Sequence, residues 1–204
     1  MRKFFVALLV LVCSTTPAFS QIKLKTEDCI ENVSPDGEGY CAWCCIETLG
    51  RHHKIKSLYG LKEKRTKESD FKTWDAKKKH WVIEPYVWVN YGTYWLKVHR
   101  SPGDYVAMKQ KLDEAKVKYR IQESGIFKTD IIGYAIRNKL GCMIVVKDWT
   151  STNGVAHALV IQDYDEKKLV LFDPNNLKYN YHVTWEWITQ HWTGYVLVIE
   201  GVKE

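Results

Sequence analysis

Beyond its first 20 residues, the 204-residue sequence has no apolar run approaching the ~18 residues that cross a bilayer as a helix. That excludes an integral membrane span for this part of the chain. There is no internal repeat and no low-complexity tract, so repeat and fibrous architectures are set aside. A basic stripe is also lacking. The net charge is +6, two of which come from Arg2 and Lys3, leaving +4 without them. A nucleic-acid partner is therefore not expected, because such proteins concentrate basic residues on one face or motif. What is present is a globular composition, with 46% hydrophobic and 26% charged residues. Nine Trp and twelve Tyr supply enough bulk for a sizeable core.

Residues 1–20 read as a secretory signal peptide. Arg2-Lys3 is the positive start, Phe4 to Val12 is a short apolar stretch, and Ala18-Phe19-Ser20 sets small residues for cleavage before Gln21. Cys13 follows Val-Leu-Val without the small residue that precedes a lipidated cysteine. The expected location is secreted or periplasmic. Residues 21–204 are then expected to form a single domain, with a Lys- and Trp-rich insertion at about 54–100. Five cysteines follow the leader: Cys29, Cys41, Cys44, Cys45 and Cys142. An odd number outside the cytoplasm leaves at least one thiol unpaired, with up to two disulfides among the others.

The order of elements argues for α+β: helices first, antiparallel strands last. After a turn-rich loop ending in Ser34-Pro35-Asp36-Gly37-Glu38-Gly39, residues 41–53 read as a helix. Ala42, Cys45, Ile46 and Leu49 form its apolar stripe. Residues 73–100 read as strand-like pieces, because Pro85 and Gly92 break any single helix through Trp74, Trp81, Trp88 and Trp95. These aromatics are expected in the core or along a cleft wall. A helix is expected over 104–116, a short strand over 119–122, and a helix from Thr129 or Asp130 to Leu140. Strands follow at 143–146, 156–162, 169–172 and 195–199, with a short helix at 184–192.

Three places carry chemistry. In Gly39-Tyr40-Cys41-Ala42-Trp43-Cys44-Cys45 a cysteine opens a helix, where unpaired N–H groups and the positive dipole end favour thiolate. In Gly154-Val155-Ala156-His157 a histidine opens an apolar strand. In Leu169-Val170-Leu171-Phe172-Asp173-Pro174 an aspartate closes the next one. If the two strands pair through the Asp163–Lys168 turn, His157 and Asp173 share one edge of the sheet. The carboxylate there holds the imidazole so that its other nitrogen faces the thiol. His52 and His53 sit at a helix end, where a positive charge is favoured without any function, and His80, His99, His182 and His191 have no acid at a telling distance.

A cysteine opening a helix, followed far downstream by a His-strand-turn-strand-Asp-Pro unit, resembles the papain-like cysteine peptidases. Within them it is most similar to the peptidases that cut bacteriocin leaders at double-glycine sites and to their stand-alone secreted relatives. The likeness lies in 37–53 and 140–200. It implies a papain-like fold, with an N-terminal helical part on a C-terminal antiparallel sheet. It also implies peptide or protein substrates, a Cys-His-Asp triad of Cys41, His157 and Asp173, a thioester intermediate, and no cofactor or metal. Cys44 is the alternative nucleophile, since Cys41-Ala42-Trp43-Cys44 also matches a family pattern in which the second cysteine attacks. The other of the two, on this reading, pairs with Cys29. The family places a Gln about six residues before the nucleophile. Pro35 or Glu38 stands there, and the nearest upstream amide is Asn32.

Four other readings stay open at this point. They are a dithiol redox protein using Cys41 and Cys44, and a zinc site adding His52 or His53. A cysteine-histidine amidohydrolase cutting peptidoglycan and a catalytically dead binding module complete the set.

Overall fold

The computed structural model describes residues 22, 24–32, 40–64, 72–83, 86–90, 95–99, 105–126, 128–147, 156–164 and 167–204, for most of 72–99 as backbone. The expected signal peptide, Pro35 and Glu38, the loop before Gly154 and the proposed aromatic cleft wall lie outside the described residues or side chains.

The chain forms an α+β arrangement. Its centre is a six-stranded antiparallel sheet in the order β5-β10-β6-β7-β8-β9. These strands are β5 (Val117–Gln122), β6 (Cys142–Val146), β7 (His157–Tyr164), β8 (Lys168–Asp173), β9 (Asn176–Thr184) and β10 (Trp192–Val202). Runs such as Cys142-Met143-Ile144-Val145-Val146 are apolar on both sides of the pleat, as a sheet covered on both faces requires. Helix α1 (Tyr40–His52) and α2 (Tyr105–Glu114) pack with Met143, Ala158, Val160, Phe172 and Leu197 on one face. Helix α3 (Asp130–Arg137) and α4 (Trp185–His191) pack with Ile144, Leu159, Ile161, Leu171 and Val198 on the other. Helices thus occupy both faces of the sheet.

Segment 72–99 contains four strands: β1 (Lys72–Asp75), β2 (His80–Ile83), β3 (Tyr86–Asn90) and β4 (Trp95–His99). They pair as two separate hairpins, with Trp74 opposite Trp81 and Trp88 opposite Lys97. The four tryptophans thus lie on four strands and on no helix, and only Trp74 and Trp81 are register partners.

The first helix departs from a simple one-sided stripe. Ala42 to Gly50 are all buried, including Glu47 and Thr48. A helix buried all round must satisfy its polar side chains internally. Thr48 Oγ1 accepts from the Ile30 N–H at 3.0 Å. Glu47 accepts from Arg51 (2.8 Å), the Gly60 N–H (2.9 Å) and the Lys62 N–H (3.0 Å). One face thus meets the sheet, while segments 29–32 and 58–62 cover the other. Burial works against the Glu47 carboxylate, but the Lys62 and Gly60 N–H groups and Arg51 outweigh it, so its pKa is lowered.

Strand β9 was not expected. It pairs with β8 over Lys168↔Thr184 to Phe172↔Asn180 and forms one edge of the sheet. Its alternation of Leu177, Tyr179, Tyr181 and Val183 is the strand signal, obscured by the intervening Lys178, Asn180 and His182. Likewise α3 ends at Arg137, short of Leu140, because Lys139 takes a left-handed conformation (φ 57°).

Close packing of α1 against the start of β6 depends on glycine. A Cβ at Gly141 would lie 2.0 Å from Leu49 Cδ2, inside a core where Leu49 is fully buried. The Gly141 N–H also donates to His53 Nε2 at 2.9 Å. His53 therefore acts as a neutral acceptor, its pKa lowered to about 4 by burial and by neighbouring His52. The helix-end charge favoured by position alone loses to desolvation here. Gly141→Ala is expected to lower unfolding free energy by about 1–3 kcal/mol through overpacking, read from the urea midpoint at constant m.

Candidate active site

Three elements meet at one end of the sheet. The β7–β8 hairpin pairs Val160 with Phe172 and Ile161 with Leu171. Continued outward, that register brings the first residue of β7 beside the last of β8. His157 Nε2 and Asp173 Oδ1 lie 2.7 Å apart, each residue 1% exposed. Pro174 cannot extend the β8 ladder, and the turn it begins lets the Asn175 N–H donate to Asp173 Oδ1 at 2.8 Å. The carboxylate thus has two donors, and the imidazole has its Nε2 committed.

The other ring nitrogen, Nδ1, is left for the thiol. Cys41 is the second residue of α1, in the turn whose backbone N–H groups lack helical partners. Burial raises the cost of a Cys41 thiolate. That cost is outweighed by the hydrogen bond to His157, the charge of His157, and hydrogen bonds from the Ala158 and Ala42 N–H groups, so the Cys41 pKa is lowered. For His157, burial works against the cation, but Asp173 and Cys41 outweigh it and raise its pKa to about 9. The two shifts run in opposite directions, as they do when one proton is shared between a sulfur and a ring nitrogen.

The remaining thiols behave differently. Cys44 is buried, with its Sγ 3.8 Å from the Glu31 carbonyl oxygen, and desolvation pushes its pKa up to about 12. Cys45 donates to the Ala158 carbonyl at 3.4 Å, and burial holds its pKa well above the ordinary value. Cys142 is raised to about 12 by burial, and Cys29 to about 11 by burial and the nearby Asp28 and Glu27 carboxylates. All five are free thiols. The disulfides anticipated from the cysteine count, including a Cys29 link, are not formed. Each thiol instead sits in its own contact, Cys29 donating to the Lys25 carbonyl at 3.4 Å.

Of the two candidate nucleophiles, then, Cys41 adjoins His157 and Cys44 faces away toward the segment before the helix. Among the described residues no group of three or more His, Cys, Asp or Glu side chains is placed to hold a metal ion. Asn32 has its amide Nδ2 on Asn175 Oδ1 at 2.6 Å, so that amide is committed to the turn after Asp173. This contact and the Ala158 N–H on the thiol left no sequence signal, since both depend on backbone placement across more than a hundred residues.

No family model matches the chain, and no curated protein matches it. Among solved structures it is similar to the peptidase domain of Streptococcus mutans ComA, crystallised with a small-molecule inhibitor. The TM-score is 0.36 at 14% identity, over 47% of this chain and 73% of that one. It is also similar to a Bacillus anthracis protein described as a C39-like peptidase. There the TM-score is 0.38 at 14% identity, over 53% of this chain and 64% of that one. At scores below 0.5 these likenesses carry no argument about chemistry, which has to come from the site itself.

The five thiols should separate by reactivity. At pH 6 iodoacetamide is expected to modify Cys41 at least tenfold faster than Cys29, Cys44, Cys45 or Cys142 in the folded protein, as mapped by peptide mass. Equal labelling of Cys29 and Cys41 would contradict the electrostatics described.

Proposed function

We propose that the chain is a papain-like, cysteine peptidase-type hydrolase that opens peptide or amide bonds in a peptide or protein substrate. The observation that carries this reading is the buried imidazole of His157, held by Asp173 at 2.7 Å through Nε2 with Cys41 on its other side. The leader read at residues 1–20 adds the proposal that it works outside the cytoplasm.

In the resting pair the sulfur is thiolate and the ring is imidazolium. Cys41 Sγ attacks the carbonyl carbon, and the carbonyl π electrons move to oxygen. The Cys41 N–H at the helix start is a donor for that oxyanion. As the tetrahedral species collapses, the C–N bond breaks and the imidazolium gives its proton to the departing amine. A thioester remains on Cys41. The neutral ring then takes a proton from water, whose oxygen attacks the thioester; collapse releases the acid and returns the proton-paired thiolate. Asp173 keeps Nε2 hydrogen-bonded throughout, so the nitrogen facing sulfur is the one that exchanges protons.

The dithiol reading finds less support. A redox motif needs a second thiol able to exchange, and Cys44 is buried with its pKa near 12.

On this mechanism Cys41→Ala abolishes hydrolysis. His157→Ala and Asp173→Asn lower kcat/KM by roughly 10²–10⁴-fold, read with casein or a fluorogenic peptide library. The pH profile should be bell-shaped. Activity falls on the acid side as the thiolate is protonated, and on the alkaline side near pH 9, where His157 loses the proton it must donate. Wild-type labelling and turnover retained in His157→Ala would overturn the proposal.

A further inference from the structure

We propose that Asn32 is a positioning residue for the acid–base pair, acting through the turn that carries Asp173. The inference rests on the hydrolase reading above. Asn32 grips that turn twice, across more than 140 positions of sequence. Its backbone N–H donates to the Pro174 carbonyl at 2.9 Å, and its Nδ2 to Asn175 Oδ1 at 2.6 Å. The Asn175 N–H in turn donates to Asp173 Oδ1, the same oxygen that faces His157 Nε2. Each bond in this series has little slack, so a turn displaced by about 1 Å takes the carboxylate out of hydrogen-bonding range of the ring.

The other end of the clamp is equally fixed. The Ile30 N–H is held by Thr48 Oγ1 of α1, and the Glu31 carbonyl accepts from Lys62 Nζ at 2.9 Å. Residues 30–32 therefore form a short strap along the helix that bears Cys41, ending on the turn that bears Asp173. It ties the thiol's element to the acid's element without passing through His157. The arrangement leaves Asn32 Oδ1 buried with no hydrogen-bond partner among the described residues.

The test is the pH at which iodoacetamide labelling of Cys41 reaches half its plateau, because that pH reports how strongly the imidazolium stabilises the thiolate. A thiol with no such help titrates at about 8.5. Asn32→Ala is expected to raise the half-plateau pH by about one unit, equal to about a tenfold lower rate on the rising limb. Asn175→Ala keeps the backbone N–H on Asp173, removes only the side-chain acceptor, and should shift it in the same direction should Asn32→Ala fail to fold. Adding Asn32→Ala to Asp173→Ala should produce no further shift, since the route through the carboxylate is already cut. A half-plateau pH unmoved by both asparagine variants, or a shift fully additive with Asp173→Ala, overturns the positioning role and leaves the hydrolase reading intact. A half-plateau pH unmoved by His157→Ala removes the hydrolase reading, and this inference with it.

Discussion

The site depends on one buried contact, the imidazole of His157 against the carboxylate of Asp173. Neither group is solvated, and a lone charge in such a place costs several kcal/mol. The charged form of the imidazole is favoured by Asp173 and Cys41, and the carboxylate accepts from the ring and from the Asn175 N–H. Removing any one member leaves the others with an uncompensated burial cost. The three side chains are therefore coupled, and the opposed shifts of Cys41 and His157 are consistent with the proposed acid–base role.

That unit is set in place by a scaffold with little freedom at this end. The β7–β8 hairpin is buried on both faces, so a one-residue slip would send Leu159, Ile161 and Leu171 from one core into the other. Register thus fixes where His157 stands relative to Asp173. Helix α1 is fixed separately. The Gly141 contact sets its distance from β6, and Glu47 binds the 58–62 segment over its outer side. The carboxylate of Glu47, four residues after Trp43 in a buried helix, is structural: the partners described for it belong to the helix or to the loop it pins.

Much of this was legible in the residues. The His157-apolar-strand-turn-strand-Asp173 unit announced itself because hairpin pairing is local, and Pro174 marked where the strand had to stop. Cys41 was legible as a helix-opening thiol because Gly39 is the last strong helix breaker before it in the sequence. What stayed hidden was non-local. All-round burial of α1 depends on the strap at 29–32, whose sequence shows no periodicity. The edge strand β9 was masked by polar residues on alternate positions, which an edge tolerates. His53 looked like a charge at a helix terminus, and only the approach of Gly141 shows it as a neutral acceptor. The free state of the thiols could not be read from their number, because pairing requires proximity that spacing does not encode.

Three cysteines within five positions of one helix raise the question of how the pKa of Cys41 is lowered while those of Cys44 and Cys45 rise. Dipole and first-turn N–H groups act on Cys41 and Cys44 alike in kind, differing in degree along the helix. Position on the helix decides the rest. A step of three residues turns Cys44 away from β7 and toward the Glu31 carbonyl, an acceptor that favours the protonated thiol. A step of four carries Cys45 onto the Ala158 carbonyl, again an acceptor, while the N–H of the same Ala158 serves Cys41. One peptide unit at the start of β7 thus presents its donor to one sulfur and its acceptor to another. Once Cys41 is ionised, its charge opposes ionisation of both neighbours. Selectivity among near-identical groups needs no special sequence around the proposed nucleophile. It follows from which sulfur meets donors and which meet carbonyls when an α-helix is laid across the end of a strand.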